Sequence, residues 1–177
     1  MRRLAIAILG GLLLSGCAHE RSWRAELDDT LPLLGHRNWI AVVDSAYPLQ
    51  TASGLRVVYV EADTLEVVGT VLEAVDTSGH VRATVFLDTE LEAVADVDSP
   101  GIGAYREGLG RLLAGRDVQH LPHEAILGRL DGAGREFAVL VLKTPLELPY
   151  TSVFVRLDCG YWSDDAEARL RAALENR

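Results

Sequence analysis

The sequence has little of what several common functions require. Its 177 residues include 17 Lys and Arg against 26 Asp and Glu, a formal net charge of −9, so it lacks the clustered positive charge that binds nucleic-acid phosphates. It has only two cysteines, too few for a disulfide framework. Aromatic residues make up 6%, so the core must consist mainly of Leu, Val, Ile and Ala. We therefore expect a globular protein with no nucleic-acid partner.

The N-terminus lacks an apolar run long enough to cross a bilayer, but it has the three parts of a bacterial lipoprotein signal. The letters MRR supply positive charge, and they are followed by an apolar run of 11 residues, LAIAILGGLLL. The letters LSGC, which begin at the last leucine of that run, resemble the lipobox and end in Cys17. We expect residues 1–17 to be a signal peptide and Cys17 to be acylated; the alternative is a misassigned start codon that adds an apolar stretch by chance. Since Ala18 and not Asp follows the cysteine, lipoprotein sorting rules favour the outer membrane, with the protein facing the periplasm.

The remaining chain divides into a short tether and one domain. Residues 18–30 are polar and are predicted to tether the domain to the membrane. Residues 31–177 are predicted to form a single α/β domain, since the length suits one core.

Two periodicities alternate along that domain. Segments rich in β-branched residues predict strands, and segments with helical spacing or capping residues predict helices. The strands are predicted at 40–44, 55–62, 82–88, 136–143 and 152–158, and the helices at 64–75, 101–115, 122–134 and 164–177. Gly132 and Gly134 are expected to cap the third helix. Near-continuous apolar strands between helices indicate a mostly parallel sheet covered on both faces, a three-layer α/β/α fold.

A histidine and an aspartate bracket the first predicted strand in GHRNWIAVVD. Ligands of such sheets bind beyond the carboxyl ends of the strands, where Asp44 lies. Five extended residues span roughly 16 Å, so His36 should lie at the opposite end. The two share a pocket if the loop before Ile40 folds back, or if His36 of one chain approaches Asp44 of another. Otherwise His36 caps a turn and Asp44 merely ends a strand.

The motif HLPHE offers a second pair of histidines. His120 and His123, with Glu124, could form a metal pair, but they are separated by a proline and no third ligand is near in sequence. The alternative is one solvent-facing and one site-facing histidine. We expect no metal and no cofactor.

Four segments together resemble the D-ribose pyranase and L-fucose mutarotase (RbsD/FucU) family. The stretch LGHRNWIAVVDSAYP has the family's Gly-His, an apolar strand, and Asp eight residues after the histidine. The stretch VVYVEADTLEVVGTVLEAV resembles the next strand and helix. LPHEAI places His123 at a sugar-contacting histidine, and FAVLVLKTPLELPYTSVFV places Tyr150 at the family's tyrosine. The resemblance covers residues 33–160.

The resemblance implies a cofactor-free sugar isomerase. His36 and Asp44 would be catalytic, and a ribose- or fucose-like monosaccharide would be bound by four further residues: Gln119, His123, Tyr150 and Ser152. The family usually has a basic residue where Gln119 stands and Asn where Ser152 stands. Its sites are built at subunit contacts in ring-like oligomers, so the resemblance implies a homo-oligomer.

The chemistry of the residues agrees with this activity. Interconversion of anomers or ring forms moves one proton from the anomeric hydroxyl and another to the ring oxygen. A histidine with a pKa near about 6.5 can do either at neutral pH. The leading hypothesis is a membrane-anchored mutarotase or pyranase. The alternatives are a monosaccharide-binding module linked to sugar transport and a structural lipoprotein with a vestigial pocket.

Overall fold

The structure, a computed structural model, describes residues 22–176. The predicted signal peptide and Cys17 therefore lie outside the described residues. The helices are α1 (Trp23–Thr30), α2 (Thr64–Ser78), α3 (Ile102–Leu112), α4 (His123–Glu136) and α5 (Asp164–Glu175). The strands are β1 (Trp39–Val43), β2 (Leu55–Tyr59), β3 (Val81–Asp88), β4 (Val118–Leu121), β5 (Val139–Lys143) and β6 (Val153–Cys159). Within residues 22–176, no helix is both long enough and apolar enough to span a bilayer.

The strands form one sheet in the order β2-β5-β1-β6-β3-β4. Only β6 runs antiparallel to its neighbours β1 and β3, while the other ladders are parallel. The prediction of a mostly parallel α/β sheet is thus confirmed. As a result, the carboxyl ends of the five other strands, β1 to β5, lie at one edge together with the residues that precede β6. We call this the carboxyl edge.

Helices cover both faces of the sheet because side chains alternate along each strand. On β1, Ile40 and Val42 join the core under α1, α2 and α3. Trp39, Ala41 and Val43 join a second core under α4. This is the predicted three-layer arrangement. By contrast, no residue of α5 is buried.

The predicted polar tether is wrong for residues 23–30, which form α1. The Ser22 side chain accepts a hydrogen bond from Ala25 N and caps the helix, and Trp23 and Leu27 are buried in the core. Glu26 forms an ion pair with Arg56 on β2. The domain therefore begins before residue 31. Eight mostly polar residues with two apolar anchors gave too weak a periodicity to predict the helix.

Two further differences concern β4 and the end of α4. Strand β4 was not predicted, because its four residues are partly exposed at the sheet edge and lack a continuous apolar run. Helix α4 continues through Gly132 and Gly134 rather than ending there. A Cβ added at Gly134 would lie 2.1 Å from Leu55 Cδ1. The carbonyl of Gly134 accepts a hydrogen bond from Gly54 N. Gly134 thus permits close helix–strand approach.

Candidate functional site

A small pocket lies at the carboxyl edge. Its volume is about 170 Å³. The segment after β1, the start of α4 and the loop before β6 supply its walls. The lining residues are Asp44, Ala46, Tyr47, Pro48, His123, Pro149 and Tyr150. The structure therefore brings together three of the predicted site residues, Asp44, His123 and Tyr150.

Asp44 is held in place by two hydrogen bonds. Ser152 Oγ donates to its Oδ2 at 2.9 Å, and Ala46 N donates to its Oδ1 at 2.9 Å. Ser152 is completely buried and does not line the pocket. A carboxylate has about four lone-pair positions, so Asp44 can still accept hydrogen bonds from a ligand. Ser152, predicted to bind substrate, instead orients Asp44.

His123 is fixed by two carboxylates, one on the last residue of β3 and the other in the short 3-10 helix that follows it. Its Nδ1 lies 2.9 Å from Oδ2 of Asp88, and its backbone N–H is 3.1 Å from both oxygens of Glu90. Asp88 is completely buried, and among residues 22–176 its Oδ1 finds no hydrogen-bond partner. Burial raises the pKa of Asp88 above its ordinary value, although the hydrogen bond and the charge of His123 oppose this. Because Nδ1 is occupied, Nε2 is the nitrogen that a ligand can use.

Tyr150 packs edge-on against His123, with ring centroids 5.5 Å apart. Its φ of 58° places a non-glycine residue in the left-handed region, a strain that often occurs at functional sites. The following residue holds this conformation: Thr151 Oγ1 donates to the Leu148 carbonyl, and the Thr151 carbonyl accepts a hydrogen bond from Tyr105. The tyrosine ring is thus fixed beside the imidazole.

Tyr47 closes another side of the pocket. Its hydroxyl donates to Gln50 at 2.7 Å, and its carbonyl accepts from Lys143 Nζ. Burial raises the pKa of Tyr47, and the charges of Asp88 and Asp44 raise it further. The phenol therefore stays protonated at neutral pH.

His36 lies at the opposite edge of the sheet. It precedes β1, its side chain is 59% exposed, and its Nε2 is 3.8 Å from Asp158 Oδ1. The loop before Ile40 does not fold back toward Asp44. A single chain therefore does not bring His36 and Asp44 together.

The two remaining polar candidates also lie outside the pocket. Gln119 is exposed on β4, opposite Phe86 in the ladder. His120 is exposed and lines a different cavity beside α3. His123 is thus the histidine that faces the site. Over residues 22–176, no three His, Cys, Asp or Glu side chains are grouped as a metal site would need.

Sequence reasoning missed Asp88 and Glu90. Asp88 ends β3 in RATVFLD just as Asp44 ends β1, so the same argument about carboxyl ends could have identified it. Glu90 could not be found in this way, because its role depends on where the start of α4 is placed.

Comparisons with known proteins bear on the fold. No protein-family model and no curated protein matches this chain. Among solved structures, RbsD from Bacillus subtilis in complex with D-ribose is similar with a TM-score of 0.55 at 17% identity, over 86% of this chain and 98% of that one. The fucose mutarotase from Streptococcus pneumoniae in complex with L-fucose gives 0.53 at 17% identity, over 75% and 91%. FucU from Bifidobacterium longum gives 0.52 at 18% identity, over 75% and 93%. This chain has the RbsD/FucU-like fold.

Proposed function

We propose that the protein is a cofactor-free mutarotase or pyranase that interconverts anomers or ring forms of a monosaccharide. One observation carries this proposal: a buried carboxylate, Asp88, holds His123 in a small pocket that Asp44 also lines. A carboxylate behind a histidine fixes its tautomer and stabilises its protonated form. The pocket thus has a proton carrier and a hydrogen-bond acceptor.

The size of the pocket and the fold neighbours indicate the class of ligand. About 170 Å³ is less than the roughly 300–1,000 Å³ of sites for drug-sized molecules. Two of the neighbours are complexes with D-ribose and L-fucose. A small monosaccharide is therefore the proposed substrate.

The reaction proceeds by ring opening and closure. A base removes the proton of the anomeric hydroxyl while an acid protonates the ring oxygen, and the bond between the anomeric carbon and the ring oxygen breaks. The open-chain aldehyde group then turns about the bond to the neighbouring carbon. The ring closes again when the same hydroxyl attacks the other face of the aldehyde, or when another hydroxyl attacks it. His123 Nε2 carries one of these protons, Asp44 accepts hydrogen bonds from the sugar, and the Tyr150 ring packs beside it.

The second proton carrier is His36 of another copy of the chain. His36 is exposed at the edge opposite the pocket, so a head-to-tail contact would place it at a neighbour's carboxyl edge. This proposal keeps the predicted catalytic pair, His36 and Asp44, in a site shared between copies of a homo-oligomer.

A binding module is the second candidate. Its support is that Gln119 lies outside the pocket and Ser152 is turned away from it, so two predicted sugar contacts are lost. Such a module would hold the sugar for a transport system without converting it.

Magnetisation-exchange NMR on ribose and fucose distinguishes the two candidates. For the mutarotase we expect faster exchange between anomers than in buffer, with His123→Ala lowering the added rate by about 10²- to 10⁴-fold. His120→Ala is the matched control, since this exposed histidine lies outside the pocket, and it should exchange at the wild-type rate. Binding without exchange would favour the module, and the absence of both would contradict either function.

Membrane attachment is proposed from the sequence. Cys17 carries the lipid of an outer-membrane lipoprotein that faces the periplasm, as the signal and lipobox letters indicate. Labelling with a clickable fatty acid should tag the wild type but not Cys17→Ser. Equal labelling of both would contradict lipidation at this residue.

A further inference from the structure

A second cavity lies on the α4 side of the sheet, near the edge where β1 begins. Its volume is about 440 Å³. Arg37, Arg129 and Arg156 line it together with Trp39 and Phe137, and we call it the arginine groove. Along α4 the groove runs over glycines 128 and 132, where an added Cβ would meet no atom within 4 Å. The groove is therefore an open concave surface with three cations.

Two of these arginines have no acidic partner. Six other arginines of the described chain pair with carboxylates: Arg24, Arg56, Arg82, Arg116, Arg135 and Arg171. Within residues 22–176, Arg37 and Arg129 make no ion pair and no side-chain hydrogen bond. No carboxylate within residues 22–176 therefore offsets the charge of these two guanidinium groups by direct contact.

Aromatic rings hold the guanidinium groups instead. Arg37 Cζ lies 5.7 Å from the centroid of the Phe137 ring. Arg129 Cζ and Arg156 Cζ each lie 5.5 Å from the centroid of the same ring, Phe86. A cation over the face of an aromatic ring is attracted by the ring, and the ring takes no hydrogen bond that a guanidinium N–H could give to an acceptor. The aromatic rings thus fix the cations without neutralising them.

Arg156 supplies an independent sign of a missing acceptor. Its Nη2 donates to Asp158 Oδ2 at 3.0 Å, whereas its buried Nε has no hydrogen-bond partner in the described part of the chain. Buried N–H donors are almost always satisfied, so this one calls for an acceptor. Among the lining residues Glu136 alone is a carboxylate, and Asp158 pairs with Arg156 from outside the lining, so two of the three guanidinium groups keep no ion-pair partner in the described chain.

We infer that the arginine groove binds the phosphate group of a small phosphate ester. Guanidinium groups match the geometry of phosphate oxygens and can bind them through two parallel hydrogen bonds. The neighbouring Trp39 and Phe137 suit the organic part of the ester. The phosphate could belong to a soluble sugar phosphate or to a phospholipid headgroup. This site lies near the edge that carries His36, apart from the pocket at the carboxyl edge, and phosphate binding there requires no conversion of a sugar.

Isothermal titration calorimetry of the full chain in a neutral maltoside detergent tests the site. The probes are inorganic phosphate, glucose 6-phosphate and a short-chain phosphatidylglycerol. We expect saturable binding of at least one organic phosphate, weakened by at least about tenfold in Arg129→Gln and abolished in Arg37→Gln with Arg129→Gln. Arg129→Lys keeps the positive charge but loses the paired N–H groups of the guanidinium. It should weaken binding less than Arg129→Gln does. Thermal melts at the wild-type temperature would show that the variants fold.

The control is Arg135→Gln, another α4 arginine, which pairs with Asp131 outside the groove. It should bind as the wild type does. Preference for glucose 6-phosphate would indicate a soluble ester, and preference for phosphatidylglycerol a lipid headgroup. The inference is overturned if none of the three probes binds at millimolar concentration. Binding that Arg135→Gln weakens as much as Arg129→Gln would also overturn it, because attraction would then come from general charge.

Discussion

The Nδ1 atom of His123 lies 2.9 Å from Oδ2 of Asp88, a carboxylate with no exposed surface. The same short segment provides Glu90, whose carboxylate binds the backbone N–H of His123. One end of β3 therefore fixes both the position of the first α4 residue and the orientation of its ring. A histidine held in this way loses little freedom when it transfers a proton.

Replacing Asp88 by Asn should impair sugar conversion without unfolding the protein. Asn is nearly isosteric, but it does not stabilise a protonated imidazole, and it can favour the wrong tautomer. We expect the anomer exchange rate to fall by at least about tenfold, and its pH profile to change. The measurement is magnetisation exchange across pH 5–9. The control is Asp98→Asn on an exposed loop, which should leave the exchange rate and its pH profile unchanged. A wild-type pH profile in Asp88→Asn would contradict the role of the carboxylate.

The same substitution should alter how stability depends on pH. Burial raises the folded-state pKa of Asp88 above the ordinary 3.8, and the charges of Glu90 and Asp44 add to this, while the hydrogen bond and charge of His123 oppose it. Between the unfolded and folded pKa values the folded state binds more protons, so this group lowers stability as pH rises through that range. Urea unfolding from pH 4 to 7 should show this loss in the wild type and less of it in Asp88→Asn. Equal slopes in both proteins would show that Asp88 does not contribute.

Ser152→Ala should destabilise the protein through Asp44. The buried hydroxyl is the donor to Asp44 Oδ2, and without it that oxygen loses its partner in a largely buried place. The expected cost is about 1–3 kcal/mol of unfolding free energy, measured by urea titration. Ser45→Ala is the control, since the Ser45 side chain makes no hydrogen bond within residues 22–176, and it should change stability by less than about 0.5 kcal/mol. Equal effects would remove the proposed support of Asp44 by Ser152.

The two terminal helices should differ in what they contribute to stability. Leu27 of α1 is completely buried, so Leu27→Ala should cost about 2–5 kcal/mol. Helix α5 buries no residue, and its ion pair from Asp164 to Arg82 is exposed. Ending the chain after Ser163 should therefore change the unfolding free energy by about 1 kcal/mol or less. Urea titrations of both variants would test this contrast, and a large loss on removing α5 would contradict it.

The sequence predicted the sheet best where burial is continuous. Strand β1 is buried along its whole length, so its apolar run identified the strand and placed Asp44 at the carboxyl edge. Edge strand β4 and helix α1 were missed because only part of each contacts the core. The apolar periodicity of a segment reflects how many of its residues are buried, and few residues of these two elements are buried.

The site was predictable only in part, for a related reason. Asp44 was selected because it ends a recognisable apolar strand, whereas His123 and Tyr150 were selected by the resemblance of their segments to the RbsD/FucU family. The pairing of His123 with Asp88 spans 35 residues and depends on β3 and α4 meeting at one edge. By contrast, the separation of His36 from Asp44 was expected from the length of β1, and only the path of the loop before Ile40 was left open.

His36 yields the sharpest prediction about assembly. If a site needs His36 from one chain and Asp44 from the next, His36→Ala and Asp44→Asn should each lose about 10²- to 10⁴-fold in exchange rate when assembled alone. In a mixed ring, a chain with intact His36 can sit beside a chain with intact Asp44. Co-unfolding and refolding an equal mixture of the two variants should therefore restore about a quarter of the sites, because the required pair occurs by chance at that frequency.

The control is the same mixture prepared without unfolding, in which the oligomers do not exchange chains and activity should stay low. Light scattering should report more than one chain's mass for the wild type and for each variant. A refolded mixture no more active than its components would mean that His36 and Asp44 do not complete each other's site. Wild-type exchange by His36→Ala alone would remove His36 from the reaction and leave His123, with Asp88 behind it, as the proton carrier that the single chain provides.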